Sequence, residues 1–244
     1  MVLLVVAAVA ACVPPVAAQG QRAPVPVTPQ AAAPQDLTGY WVSLVTEDWR
    51  FRMMTPPKGD YESVPLNAEA KKIADAWDPA KDEAANNQCK AYGAAAIMRV
   101  PGRLHITWQD DNTLKIETDA GTQVRALHFS AASVPAGEAQ WQGNSVAAWQ
   151  LFRARDAPSR GGYLKVVTTG MRPGYFRKNG VPYSANAVLT EYYTRVNEEN
   201  GDSYLIVTSV VTDPAYLTQP FTTSTNFKRL PDGSGWNPTP CTAR

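Results

Sequence analysis

LHITWQDDNTLKIETDAGTQVRALHF, residues Leu104–Phe129, holds three short runs of β-branched, aromatic and aliphatic residues parted by two clusters of turn formers. The runs Leu104–Gln109, Leu114–Thr118 and Val124–Phe129 read as strands, because such side chains fit a pleated, half-buried surface. Asp110-Asp111-Asn112 and Asp119-Ala120-Gly121 read as hairpin connections. The pattern continues outward in both directions. Tyr40–Thr46 precedes it, and Ser145–Phe152, Tyr163–Thr169, Ala187–Val196, Tyr204–Thr212 and Phe221–Arg229 follow, with Glu198–Asp202 supplying an Asn200-Gly201 turn. One helix interrupts the series. Asn67 can cap the run Ala68–Trp77, with Glu69 in its first turn, Ile73, Ala76 and Trp77 on one face, and Pro79 ending it.

Consecutive strands joined by tight turns, with little helix to cover a sheet, predict a mainly β chain. The expected architecture is an antiparallel β-barrel of about eight to ten strands, since closure removes the edges that an open sheet must protect. At about eight strands the interior is either filled by side chains or left as a cavity for one small ligand.

The ends of the chain set the compartment. Residues 1–18 carry no charge, are mostly Leu, Val and Ala, and end in Val16-Ala17-Ala18 before Gln19, which is the outline of a cleaved export signal. Val9-Ala10-Ala11-Cys12 also has the shape of a lipoprotein site, where a lipidated Cys12 would hold the chain on a membrane. The apolar run breaks at Pro14-Pro15, short of the ~20 residues that a membrane span requires. Residues 19–35, rich in Pro, Ala and Gln, have the composition of a disordered tether, and 36–244 are expected to form one domain. Beyond the leader the cysteines are Cys89 and Cys241, an even pair for which one disulfide is the default in an oxidising compartment. With 23 basic and 22 acidic side chains interspersed, net charge +1, the composition argues against nucleic acid as a partner.

Asp36-Leu37-Thr38-Gly39-Tyr40-Trp41 opens the first strand and resembles the Gly-x-Trp start of lipocalin-like, calycin-type barrels. The resemblance implies a structural Trp41 that plugs a closed barrel end. Thr190-Glu191-Tyr192 echoes that family's later Thr-Asp-Tyr motif, although here it falls inside a strand. The C-terminal half is similar to a group of uncharacterised secreted bacterial proteins, through Gly180-Val181-Pro182-Tyr183-Ser184, Thr190–Arg195 and Asp213-Pro214 to Phe221. Members of that group often carry His where Tyr183 and Asn226 stand, so any chemistry of those histidines is not carried here.

Candidate site residues come from alternation and composition. Leu189, Glu191, Tyr193 and Arg195 share one face by period two. If that face lines the barrel, Glu191 sits beside a ring and a positive charge, an environment suited to proton transfer or to gripping a polar ligand group. His105 and His128 lie in separate strands, and alternation leaves open whether they face the same way. Both are candidate acid/base partners of Glu191. Arg172, Tyr175 and Arg177 fall in the ring- and cation-rich connection Met171–Gly180, where loops at a barrel mouth hold recognition residues. Trp108, Tyr193 and Trp49 are candidate wall residues for an apolar ligand. Glu47-Asp48 does not suit a two-carboxylate glycosidase, since neighbours on a strand point apart. Met53-Met54 reads as core or lid packing. No metal site, cofactor or nucleophile motif is expected from the spacings present.

Three functions remain open at this stage. The first is an exported protein that holds a small hydrophobic or amphipathic molecule in a barrel cavity. The second is a cofactor-independent enzyme using Glu191 with His105 or His128 for a lyase, isomerase or hydrolase step. The third is an envelope interaction module without a cavity. Composition sets no oligomeric state.

Overall fold

Period-two alternation builds the sheet. The structure, a computed structural model, describes residues 27–135, 137–152 and 161–244, so the leader 1–18 lies outside the described residues. Nine strands close into one barrel in the order β1-β11-β10-β9-β6-β5-β4-β3-β2. They are β1 (Gly39–Leu44), β2 (Arg103–Asp110), β3 (Thr113–Thr118), β4 (Gln123–His128), β5 (Asn144–Leu151), β6 (Gly162–Thr169), β9 (Val188–Asn197), β10 (Ser203–Thr212) and β11 (Phe221–Leu230). A two-stranded ribbon, β7 (Gly174–Arg177) and β8 (Val181–Tyr183), stands apart from the barrel. Each of the nine strand runs read from the sequence becomes a barrel strand, which confirms the mainly β barrel.

The barrel is mixed and not wholly antiparallel. β4 and β5 pair in parallel through Leu127 with Ser145 and His128 with Val146. The reason is the length of the connection: 129–143 is long enough to carry the chain back before β5 begins, as a parallel crossover requires. Helix is also more plentiful than expected. The segment between β1 and β2 folds as α1 (Trp49–Met53), α2 (Ala68–Asp75), α3 (Pro79–Ala84) and α4 (Ala94–Ile97). The α2 cap is the expected one, with the Asn67 side chain accepting from the Ala70 backbone N–H at 2.9 Å.

Two hydrophobic cores result. Inside the barrel, Trp41, Ile106, Ile116, Leu127, Leu164, Val166, Leu205, Val207 and Phe227 pack against one another. All are fully buried, so no water-sized space lies against them. The lumen expected to hold a ligand is therefore filled at its waist. A Trp, a Phe and branched aliphatics supply enough volume to plug a barrel of this girth. Trp41 is completely buried and its Nε1 donates to the Leu37 carbonyl at 3.0 Å. A second core, with Ala70, Met171, Phe176, Val181, Tyr183, Leu189, Leu217 and Phe221, joins the helical segment and the β7–β8 ribbon into a cap over one barrel end.

The opposite end is closed by the segment expected to be a disordered linker. From residue 27 onward it is described, and it is tied down. The Trp149 Nε1 donates to the Pro29 carbonyl, Gln35 donates to the Tyr193 carbonyl, and the Arg195 N–H donates to the Gln35 side chain. Backbone bonding, invisible to composition, overrides the tether signature there. The disulfide between Cys89 and Cys241 is present, with Cα atoms 5.1 Å apart, and it pins the C-terminal tail onto the cap. Among the described residues no helix is long and apolar enough to cross a membrane.

Candidate functional site

Alternation in β9 turns Glu191 and Tyr193 inward with Leu189, all three buried. The positive charge that meets Glu191 is not Arg195, which bonds Asn197, Ser203 and the Asp36 carbonyl at the barrel rim. It is Arg125 of β4. Arg125 grips the carboxylate in bidentate fashion, Nη1 to Oε1 at 3.1 Å and Nη2 to Oε2 at 2.7 Å. The Tyr193 hydroxyl donates to Glu191 Oε1 at 3.1 Å, and Arg125 Nη2 donates to Thr168, which bonds Ser145 in turn. Burial opposes the Arg125 charge, but Glu191 and Tyr193 outweigh it and hold the guanidinium above its ordinary range. Burial first, then the Glu191 carboxylate, pushes the Tyr193 hydroxyl up as well. All five side chains are sealed from solvent. The network therefore locks four strands together and offers no surface to a substrate.

The histidines face the other way. Val124, Ala126 and His128 line the outer wall of β4, and His105 lies outside on β2, stacked on the Tyr40 ring at 4.1 Å. His105 Nδ1 lies 3.2 Å from Glu117. The pairings His105 with Glu117 and Thr113 with His128 set the two imidazoles at opposite ends of β3. The barrel wall separates both from Glu191, so the expected acid/base combination is not assembled. Arg125 was missed in the sequence, yet a signal existed. If Val124, Ala126 and His128 share one face, then Arg125 must join Leu127 on the other, and a lone inward arginine demands a carboxylate.

The remaining candidates separate. The Arg172 guanidinium lies 4.1 Å over the Trp141 ring. The Tyr175 hydroxyl donates to Asp82 at 2.9 Å, where Lys90 also bonds, clamping α3 to β7. Burial, followed by that carboxylate, raises the Tyr175 pKa. Trp108 packs with Phe129 and Trp149 at the strapped barrel end, beside a cleft of about 350 Å³ that includes Leu37 and Leu114. Tyr183, where relatives of the resembled group carry His, is a buried cap ring whose hydroxyl is pressed against Gly93 and Gly174. Asn226 lies outside, bonding Thr46 and Glu47.

Trp108 lines the cleft at the strapped end and His128 one outside β4, and Arg177 reaches a third. This cleft, of about 330 Å³, lies between α1, the start of the 90s segment and the β7–β8 ribbon. Its apolar walls are Phe51, Met53, Met54, Tyr92 and Phe176, and its cations are Arg52, Arg99, Arg177 and Lys178. Trp49, Met53 and Met54 stand exposed on and beside α1. Arg52 pairs with Glu47 and donates to Ser43 and to the Arg99 carbonyl. Arg99 Nη2 reaches Asp48 at 3.0 Å. Arg177 meets only neutral partners, the Glu62 carbonyl at 2.8 Å and Ser63 Oγ at 2.6 Å, and lies over the Phe51 ring at 4.0 Å. Burial, then the neighbouring Arg99 charge, pushes the Arg177 guanidinium down to about 10. Tyr92 shifts the opposite way to most buried tyrosines. Burial would raise it, but bonds from Lys178 and Thr242 outweigh this and lower its pKa. Arg99 itself gives no sequence signal, because it sits in a segment with no readable period.

The chain matches no known family model and no curated protein.

Proposed function

We propose that this chain is an exported small-molecule-binding protein, lipocalin-like in plan, whose ligand has an apolar body and sits in the cap cleft and not in the barrel lumen. The observation that carries this reading is the cleft's lining. Phe51, Met53 and Met54, with the nearly buried rings of Tyr92 and Phe176, line about 330 Å³ together with four cations. That volume lies within the usual range of ligand sites, about 300 to 1,000 Å³, and the lining joins apolar bulk to charge. The filled barrel waist and the sealed Glu191 network close the lumen, and the cap cleft gathers rings, thioethers and cations in one place. The disulfide and the leader-like start support an exported setting. Exposed Met53 and Met54 at the cleft edge suit an adaptable rim, since unbranched thioethers repack readily.

Titration with the neutral fluorescent probe N-phenyl-1-naphthylamine tests the reading. Saturable one-to-one binding is expected, weakened several-fold in the double variant Met53→Ala, Met54→Ala, whose positions are solvent-exposed and leave the cores untouched. Binding that does not saturate, or that is identical in the double variant, removes the cleft as the site.

A further inference from the structure

The three guanidiniums in the cleft are not equally neutralised. Arg52 has Glu47 and Arg99 has Asp48, each as an ion pair. Among the described residues no carboxylate lies within 4 Å of the Arg177 guanidinium, although Arg177 is 95% buried. A buried cation without a counter-charge is unfavourable, because it has lost its water shell and received no opposite charge in return. Two donors in this cluster also lack any acceptor: Arg99 Nη1 and Arg177 Nε. Among the three guanidiniums one is thus left without an ion pair, while the fourth cation of the cleft, Lys178, lies over the Tyr92 ring and bonds Thr242.

We infer that the ligand of the cap cleft is an amphiphile with a singly charged carboxylate head. The inference rests on the proposed function, since it assigns chemistry to that same cleft. A carboxylate is the planar acceptor that a guanidinium binds, and one negative charge matches the one guanidinium left without an ion pair. The apolar remainder of the molecule lies along Phe51, Tyr92 and Phe176 toward the exposed Met53 and Met54. A doubly charged phosphate monoester would bring one charge more than the cluster lacks, next to Asp48 and Glu47.

Calorimetric titration of the wild-type protein with decanoate, 1-decanol and decyl phosphate at pH 7.5 tests this, with the neutral naphthylamine probe run alongside. Decanoate is expected to bind at least about tenfold more tightly than decanol, the size of effect that charge-assisted hydrogen bonds bring. It is also expected to bind more tightly than decyl phosphate. In Arg177→Met the decanoate-to-decanol ratio falls to about one, and in Arg177→Lys, which keeps the charge, it stays above one. Equal binding of acid and alcohol by the wild-type protein overturns the inference while leaving the cleft reading intact. The same holds if decyl phosphate binds best, if the ratio survives in Arg177→Met, or if the probe binds and decanoate does not. If neither the probe nor any of the three amphiphiles binds, the cleft reading itself falls, and the inference with it. The wild-type ratio needs no variant, so a folding defect at position 177 does not shield the inference.

Discussion

Replacing Glu191 with Gln probes the interior network, because the amide keeps the shape of the carboxylate while it loses the negative charge and turns one accepting oxygen into a donor. Arg125 and Glu191 are both essentially inaccessible, and they share two hydrogen bonds of 3.1 and 2.7 Å. Each charge-assisted bond contributes about 1.5–3 kcal/mol, and stranding one member of a buried pair costs about 3–5 kcal/mol in comparable cases. A loss of about 4 kcal/mol is therefore expected for Glu191→Gln. At roughly 2–4 °C per kcal/mol for a domain of this size, Tm falls by about 8–16 °C. The double variant Arg125→Met, Glu191→Leu removes both charges, and only the Tyr193 and Thr168 hydroxyls lose partners. It is expected to lie at least about 2 kcal/mol above the single variant, since apolar replacements of buried pairs are often close to neutral. Urea unfolding followed by tryptophan fluorescence measures all three proteins, and naphthylamine binding below the transition reports on the cleft. If Glu191→Gln lies within about 1 kcal/mol of the wild type, water reaches the pair and its structural assignment is refuted. Loss of probe binding in a folded Glu191→Gln protein would refute it from the other side, by connecting the network to the ligand.

The disulfide closes a loop with a sequence separation of 152 residues, for which the chain-entropy model gives about 5 kcal/mol. The double variant Cys89→Ser, Cys241→Ser should lower Tm by more than 10 °C on that scale, roughly what the same conversion gives for this size. A change below about 1 kcal/mol would mean that the unfolded chain is already compact around that loop. Alkaline pH supplies a second test. Burial raises the pKa of Tyr61 to about 12 and those of Tyr175, Tyr183 and Tyr193 further, Asp75, Asp82 and Glu191 adding to the rise at Tyr61, Tyr175 and Tyr193 respectively. With folded values above the unfolded value of about 10, their contribution to stability is complete below pH ~10 and is lost as pH climbs toward the folded values. Absorbance at 295 nm should show these four silent until unfolding, with Tyr92 titrating early. Simultaneous ionisation of all ten tyrosines near pH 10, without unfolding, would contradict the burial assigned to them.

What could be read from the sequence depended on period. Each barrel strand follows from two-residue alternation bounded by turn formers, which is why Leu104–Phe129 resolves into β2, β3 and β4 within a residue or two of their bounds. The Asn67 cap was legible for the same reason: a side-chain acceptor three residues before a backbone donor is a local relation. The parallel β4–β5 pair was not legible, because the path of 129–143 is fixed by where the next strand docks and not by its own residues. Nor was the strap at 27–38. Its Pro- and Gln-rich composition is that of a tether, and only the meeting of Gln35 with β9 and of Pro29 with Trp149 orders it. The site divided along the same line. Glu191 and Tyr193 were correctly paired on one face, and the identity of their cation required knowing that β4 stands across the barrel.

The contrast between the two arginine clusters supports the proposal that places the ligand in the cap. In the barrel the inward charge is matched one for one, Arg125 against Glu191, with Thr168 taking a further bond and the Arg125 Nε left without an acceptor. Such a network satisfies the fold alone. In the cap, Arg177 is as deeply buried and carries no matching charge, while Arg99 keeps an idle donor beside it. Within the chain the Arg177 guanidinium meets the Glu62 carbonyl, Ser63 Oγ and the Phe51 ring, all of them uncharged. In the proposed reading the ligand's carboxylate neutralises that charge. The segments that create this imbalance, 45–101 and 170–187, are also those without strand alternation, free of the barrel's period and so free to shape a cleft.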